Sequence, residues 1–429
     1  MKPLMVYYKG MNIYFSGIGG VGIGPLAEIA RDAGNSVCGS DMHESPTYQE
    51  LRASGIEVST DQSGAFLKAC HATQPIDWFV HTAALPSNHP EFLQAAALGL
   101  HIAKRDELIR AIIDQHHLKL IAVAGTHGKT TTTAMLTWVF EQLGVPVSYS
   151  IGSQIGFGPS GHFNPESSYF VYECDEYDRN FLAFAPHLTL LTSVDYDHPD
   201  TYPTQSDYVA AFNQFLTQSR HTIMWRHDTV IELTPPTGSW VLDDQEVMDV
   251  KLTGAHNRAN ATLVVKAIEF LRLGTTESTL AALEQFPGSA RRFEKLAENL
   301  YSDYGHHPVE IAATLELARE ISDHVVLVYQ PHQNTRQHQV RSAYTTCMQL
   351  AETIYWLPTY QSREDLNLPI LTPEQLTVRL VNKASVHTAE MNESLWHAIE
   401  DARANNQLVL CMGAGSIDSW VRQQLSLSR

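Results

Sequence analysis

The residues whose types and spacing best fit chemistry are Gly125-Thr126-His127-Gly128-Lys129-Thr130-Thr131, set between an apolar β-like run, 119–124, and a helical pattern, 131–143, closed by Gly144 and Pro146. A glycine-permitted turn between strand and helix aims backbone N–H groups at phosphate oxygens, a lysine neutralises their charge, and the next hydroxyl can serve Mg²⁺. The strict eight-residue phosphate loop carries glycine five positions before Gly128, where this chain has Val123, so the match is to a shortened loop. Further on, a β-like run delivers Glu173, Asp175, Glu176 and Asp178. Such a cluster repels itself unless it shares a cation. Hard oxygen ligands beside phosphates suit Mg²⁺, with Glu173, first out of the strand, the leading candidate and a solvated acidic loop the alternative. A third run, 187–194, ends in Asp195-Tyr196-Asp197-His198, where open α/β sheets bind ligands; His198 is either a second metal ligand or a structural histidine.

A second glycine turn, Gly17-Ile18-Gly19-Gly20-Val21-Gly22, follows the β-like run 11–17 and precedes a helical pattern over 25–33. It fits an anion-binding turn in a Rossmann-like unit, with Ser40-Asp41 ending the next strand. Asn257 and Asn260 can pair with adenine edges and Arg292 can straddle ribose and phosphate, or these can be cap and surface residues.

These residues need elements to hold them. Alternating strands and helices predict an α/β chain with mostly parallel sheets in three domains. They are a Rossmann-like domain over 1–117, a phosphate-loop domain over 118–288 and a second Rossmann-like domain over 289–429, after the Pro287-Gly288 break. A length of 429 residues fits two or three cores rather than one. No apolar run approaches the roughly 18 residues of a spanning helix, and residues 1–10 lack a secretory signal's features, so neither a membrane nor export is expected. Five cysteines without CxxC spacing point to a reducing compartment, the cytoplasm. A formal net charge of -18 disfavours nucleic acid.

The segments GTHGKTTTTAM, ECDEYD, DYDHPDTY, GAHNRANA, RRFE and DYGHHPVEI occur in the order found in Mur ligases. The chain resembles that family over nearly its whole length, and most resembles the branch joining L-alanine to UDP-N-acetylmuramate. The resemblance implies an ATP-dependent ligase of cell-wall synthesis that forms an acyl phosphate on the lactyl carboxylate, which an amine then attacks. It implies that Lys129 contacts the ATP phosphates and that Thr130, Glu173 and His198 serve two Mg²⁺ ions. Asn257 and Asn260 would face adenine, and Arg292 and Asp303 would hold ribose and phosphates. Gly17, Gly19, Gly20, Val21, Gly22, Ser40 and Asp41 would bind the UDP-sugar; Tyr304, His306, His332 and Arg336 would meet the amino donor, with His307 as a base for its proton. The chain would act as a monomer or homodimer. Two departures matter. No lysine lies between Lys129 and Lys251, which excludes the modified lysine of several relatives, and Gln333 stands where the alanine branch has an arginine. Glu176-Tyr177-Asp178 and the Asn334-Thr335 pair look more like the muropeptide-recycling ligases, which attach a tripeptide instead. A non-catalytic nucleotide-binding protein is the reading of another class.

Overall fold

The strongest apolar runs become the centres of sheets in the computed structural model, which describes residues 10–427 apart from 21, 83–84, 199–200, 227–232, 363 and 366. Val21, grouped above with the glycines, therefore lies outside the described residues, as do residues 1–9. The first sheet contains β1 (Asn12–Ser16), β2 (Ser36–Ser40), β3 (Glu57–Ser59), β4 (Trp78–His81) and β5 (His101–Lys104), all parallel in the order β3-β2-β1-β4-β5. Strand order reverses beside β1, so the turn after β1 opens into the crevice where such sheets take ligands.

The second sheet contains β6 (Lys119–Ala124), β7 (Ser148–Ser150), β8 (Gly161–His162), β9 (Tyr169–Glu173), β10 (Leu188–Leu191), β11 (Thr222–Trp225) and β12 (Trp240–Leu242), in the order β12-β11-β10-β6-β9-β7-β8. The β7–β8 pair is antiparallel and the other pairs parallel. β6 is flanked by β9 and β10, so the phosphate loop, the acidic segment and the Asp195–His198 segment all leave the same edge of adjacent strands.

These two sheets belong to one compact unit, residues 1–248 with 260–287. A single apolar core runs through both: Ile13, Phe15 and Val80 of the first sheet join Leu120, Ala122, Phe170 and Tyr172 of the second. The second unit comprises 249–259 and 288–429. It holds β13 (Glu294–Ala297), β14 (Leu300–Asp303), β15 (Val325–Tyr329), β16 (Thr353–Trp356), β17 (Val386–Thr388) and β18 (Leu408–Met412), ordered β13-β14-β18-β15-β16-β17, with β13–β14 antiparallel and the rest parallel. Alternate residues of its central strands enter opposite cores: Leu327 and Leu410 pack with Ile311 and Leu315, while Val328 and Val409 pack with Ile399 and Val421. A strand covered on both faces has no polar side to show, which is why β15 reads as an unbroken apolar run. Among the described residues no helix is long and apolar enough to cross a membrane.

Candidate active site

The phosphate loop is shaped by two glycines. Gly125 has φ +132°, and a Cβ there would stand 2.6 Å from the Ser193 carbonyl, so the loop lies directly on the chain leaving β10. Gly128, at φ +83°, starts the helix Lys129–Gln142 and sits against the Asn260 amide. Thr126 donates its hydroxyl to the Asp195 carbonyl at 2.9 Å and accepts the Asp195 N–H at 2.8 Å, and the Thr192 hydroxyl donates to the His127 carbonyl. The His127 ring lies 3.4 Å from the Asp195 carboxylate. The side chains of Thr126 and His127 thus knit the loop to the neighbouring strand, and their N–H groups also donate to it, to the Ser193 carbonyl and hydroxyl at 2.9 Å each, so the N–H groups that suit phosphate are those at the start of the helix; Thr131 is half-buried in its first turn.

Lys129 Nζ donates to Glu176 Oε2 at 2.7 Å and to the Gly125 carbonyl at 2.6 Å. Burial opposes its charge, but the carboxylates of Glu176, Asp175 and Glu173 outweigh burial and hold the ammonium above its ordinary range. Glu176 is the mirror image. Burial would raise its pKa, yet Lys129 and His198 draw it below the usual carboxylate range. His198 Nε2 lies 3.6 Å from the second Glu176 oxygen, and its φ of +57° is unusual for a side-chain-bearing residue. Thr130 donates its hydroxyl to Glu173 Oε1 at 2.9 Å, and Glu173 Oε2 accepts the Gly152 N–H at 2.8 Å. The acidic segment is therefore split: Glu173 serves Thr130, and Glu176 serves Lys129 and His198. The pairing of Glu176 with Lys129 was hidden in the sequence, because it depends on the path of the chain after β9, which no strand extrapolation provides; two residues further on, Asp178 and Arg179 adopt left-handed backbone (φ +52° and +58°). Among the described residues no three His, Cys, Asp or Glu side chains form a ready cation cage.

The first glycine turn is built differently. Gly17 and Ile18 donate N–H groups to the Ser40 carbonyl at 2.8 and 2.9 Å. Gly19 N–H donates to Asp41 Oδ2 at 2.9 Å, and Gly20 N–H to the Gly17 carbonyl at 3.1 Å. Ser40 corrects the sequence reading: it is fully buried and donates its hydroxyl inward to Glu91, so it supports the turn from beneath instead of lining it. A Cβ on Gly22 would lie 2.8 Å from Arg105 Nη1, which puts a guanidinium beside the turn. Arg105 and Asp106 begin the helix Arg105–Gln115, and Asp106 accepts the Tyr172 hydroxyl at 3.2 Å. Arg105 was missed because no local spacing links it to the glycines.

In the second unit the backbone around Arg291 (φ +56°) and Phe293 (φ +50°) is held in left-handed turns at the start of β13. Both guanidinia lie over the Tyr304 ring, Arg291 at 4.7 Å and Arg292 at 5.3 Å from its centre. Asp303 accepts the Gly305 and Phe293 N–H groups at 2.7 and 2.8 Å, and burial pushes its carboxyl up to about 6 despite the Arg292 charge. The His306 ring is edge-on to Tyr304 and to His332, and His332 stacks on Tyr360 at 5.7 Å and 9°. Burial first, then the charges of His306 and Arg336, take the His332 imidazole down to about 4. His307, expected as a base, is the N-cap of the helix Pro308–Ile321; its Nδ1 accepts the Val309 N–H at 3.4 Å, so that nitrogen serves the helix. Asn257 donates to the Thr253 carbonyl at 2.9 Å in this unit, whereas Asn260 belongs to the first unit beside Gly128. Gln333 donates its amide to the Ser362 carbonyl at 3.0 Å, and Asn334 uses its side chain to bond Pro369 and Leu371.

A phosphate loop whose lysine and threonine are each met by a carboxylate, in a three-sheet α/β chain, has the build of an ATP-dependent ligase. Three family models match: the Mur ligase family catalytic domain over residues 12–117, the Mur ligase middle domain over 123–239 and the Mur ligase glutamate ligase domain over 291–415. The UDP-N-acetylmuramate–L-alanine ligase of Agathobacter rectalis is 30% identical over 456 residues, spanning 96% of this chain and 97% of its own. The chain belongs to the Mur ligase family. At the level of fold it is similar to the UDP-N-acetylmuramate–alanine ligase of Thermotoga maritima (TM-score 0.75, 23% identity, 98% of this chain and 100% of the other) and to a murein peptide ligase of Psychrobacter arcticus (TM-score 0.67, 21% identity, 97% and 98%).

Proposed function

We propose that this ligase joins L-alanine to the lactyl carboxylate of UDP-N-acetylmuramate at the expense of ATP, in peptidoglycan synthesis in the cytoplasm. The observation that carries the catalytic part is the Lys129–Glu176–His198 cluster beside the Thr130–Glu173 pair, all at the ends of adjacent strands. The amino donor rests on the relatives named above. A carboxylate oxygen takes the γ-phosphoryl group and ADP leaves; the amine nitrogen then attacks the acyl carbon, phosphate departs, and the amine gives up a proton. Lys129 and the N–H groups at the start of its helix, Gly128 to Thr131, hold and neutralise the phosphates, in a loop shaped by Gly125, Thr126 and His127. The oxygen donors of Thr130 and Glu173 fit Mg²⁺, with His198 for a second ion; such ions, when bound, offset charge on the transferring group. Gly17, Gly19, Gly20 and Gly22 form the UDP-sugar turn with Arg105 opposite its charge. Asn260 in the first unit, and Arg292, Asp303 and Asn257 in the second, are assigned to the nucleotide, and Tyr304, His306, His332 and Arg336 to the amino donor. The working domains are 1–117, 118–288 and 289–429. Five free cysteines fit a reducing compartment.

The recycling reading is supported by the neutral Gln333 where the alanine branch has a guanidinium, together with Glu176-Tyr177-Asp178 and Asn334-Thr335. Purified protein with ATP, Mg²⁺ and UDP-N-acetylmuramate, given L-alanine or L-Ala-γ-D-Glu-meso-diaminopimelate separately, decides between them. Phosphate release and a UDP product carrying alanine are expected. Turnover with the tripeptide alone moves the protein to recycling, and none with either sinks the ligase assignment.

A further inference from the structure

Beneath the first glycine turn lies a carboxylate that the reaction does not use. Glu91, in the first turn of the helix Pro90–Ala97, is fully buried. It accepts three hydroxyls: Tyr14 at 2.5 Å and Ser40 at 2.6 Å on one oxygen, and Ser16 at 2.5 Å on the other. Taking a carboxylate wholly out of water is costly, and three O–H donors with the positive end of a helix are what make the position tolerable. A well-packed apolar side chain would serve bare stability as well, so the carboxylate needs another reason to be there.

Its three partners supply that reason. Ser16 ends β1 and Ser40 ends β2, the two strands from which the glycine turn hangs. The Ser40 carbonyl takes the Gly17 and Ile18 N–H groups while the Ser40 hydroxyl is tied to Glu91, and the next residue, Asp41, takes the Gly19 N–H. The corner is also tight: a Cβ on Gly39 would lie 2.3 Å from the Phe15 carbonyl, so β1 and β2 approach closely one residue before the tie.

We infer that Glu91 is a positioning residue for the UDP-sugar: one buried carboxylate clamps the ends of β1 and β2 and so fixes the path of the glycine turn that hangs from them. It acts through Ser16 and Ser40 and touches no substrate. The inference rests on the UDP-sugar reading of the turn, and wild-type titration separates the two. A wild type that does not bind UDP-N-acetylmuramate overturns both; binding that Glu91→Ala retains undiminished overturns this one alone.

In steady-state kinetics on the full chain, Glu91→Ala is expected to raise KM for UDP-N-acetylmuramate about 20-fold, the size of one lost charge-assisted hydrogen bond, with kcat and KM for ATP changed by less than about twofold. Glu91→Gln, whose amide oxygen still accepts hydroxyls, should recover most of this, to within about fivefold of wild type. Equal loss in kcat and every KM, following the folded fraction, would make Glu91 a stability residue and overturn the inference. Should Glu91→Ala fail to fold, Ser40→Ala leaves two donors on the carboxylate and is expected to raise the same KM about fivefold; an unchanged KM there is equally fatal.

Discussion

The turns after β1 and β6 start from the same recipe, a buried strand opening through glycines into a helix, yet they place charge in opposite ways. After β6 the cation is part of the loop: Lys129 sits at the helix start, and β9 brings Glu176 to it. After β1 the loop contains no cation, its Gly19 N–H is spent on Asp41, and the guanidinium beside it arrives on the helix Arg105–Gln115. A built-in cation suits a group whose charge must be neutralised during transfer, whereas a turn flanked by a distant arginine suits a diphosphate that is only held.

The comparison breaks most visibly at Lys129. Lys129→Ala should lower turnover about 10³-fold, as for loss of a preorganised charge donor. It also strands the buried Glu176 carboxylate, at a cost of about 3–5 kcal/mol that His198 offsets in part, so the thermal midpoint should fall with it. At the other turn, Arg105→Gln should raise KM for UDP-N-acetylmuramate about tenfold and leave kcat within about twofold, the mark of lost uniform binding. A fall in kcat equal to the rise in KM would erase the proposed distinction.

How much of this was legible follows from where each partner comes from. β6, β9, β15 and β18 coincide with the apolar runs because strands buried on both faces need uninterrupted apolar sequence. β3 and β5 carry exposed and polar residues over only three and four positions at the sheet edges, too little to give a pattern. Lys129, Thr130 and Glu173 could be read from the motif alone. Glu176, Arg105 and Glu91 could not: the first depends on the path of the chain after β9, and the other two on packing between segments about 50 to 85 residues apart. His307 shows a second demand on a residue of catalytic type, since its Nδ1 caps a helix.

The smallest expected effect concerns pH. His332 has its folded pKa depressed to about 4, so its contribution to stability is present above the unfolded value near 6.5 and is lost as pH falls toward 4. The difference in thermal midpoint between wild type and His332→Asn should therefore narrow over that window. A difference that stays constant from pH 7 to 4 would mean that the imidazole titrates normally.

The division of labour between the two turns is tested most directly by calorimetric titration of Lys129→Ala and Arg105→Gln with UDP-N-acetylmuramate and with a non-hydrolysable ATP analogue. Lys129→Ala should lose nucleotide affinity and keep that for the UDP-sugar, and Arg105→Gln should do the opposite. Loss of both ligands in either folded variant, or of neither in both, would contradict it.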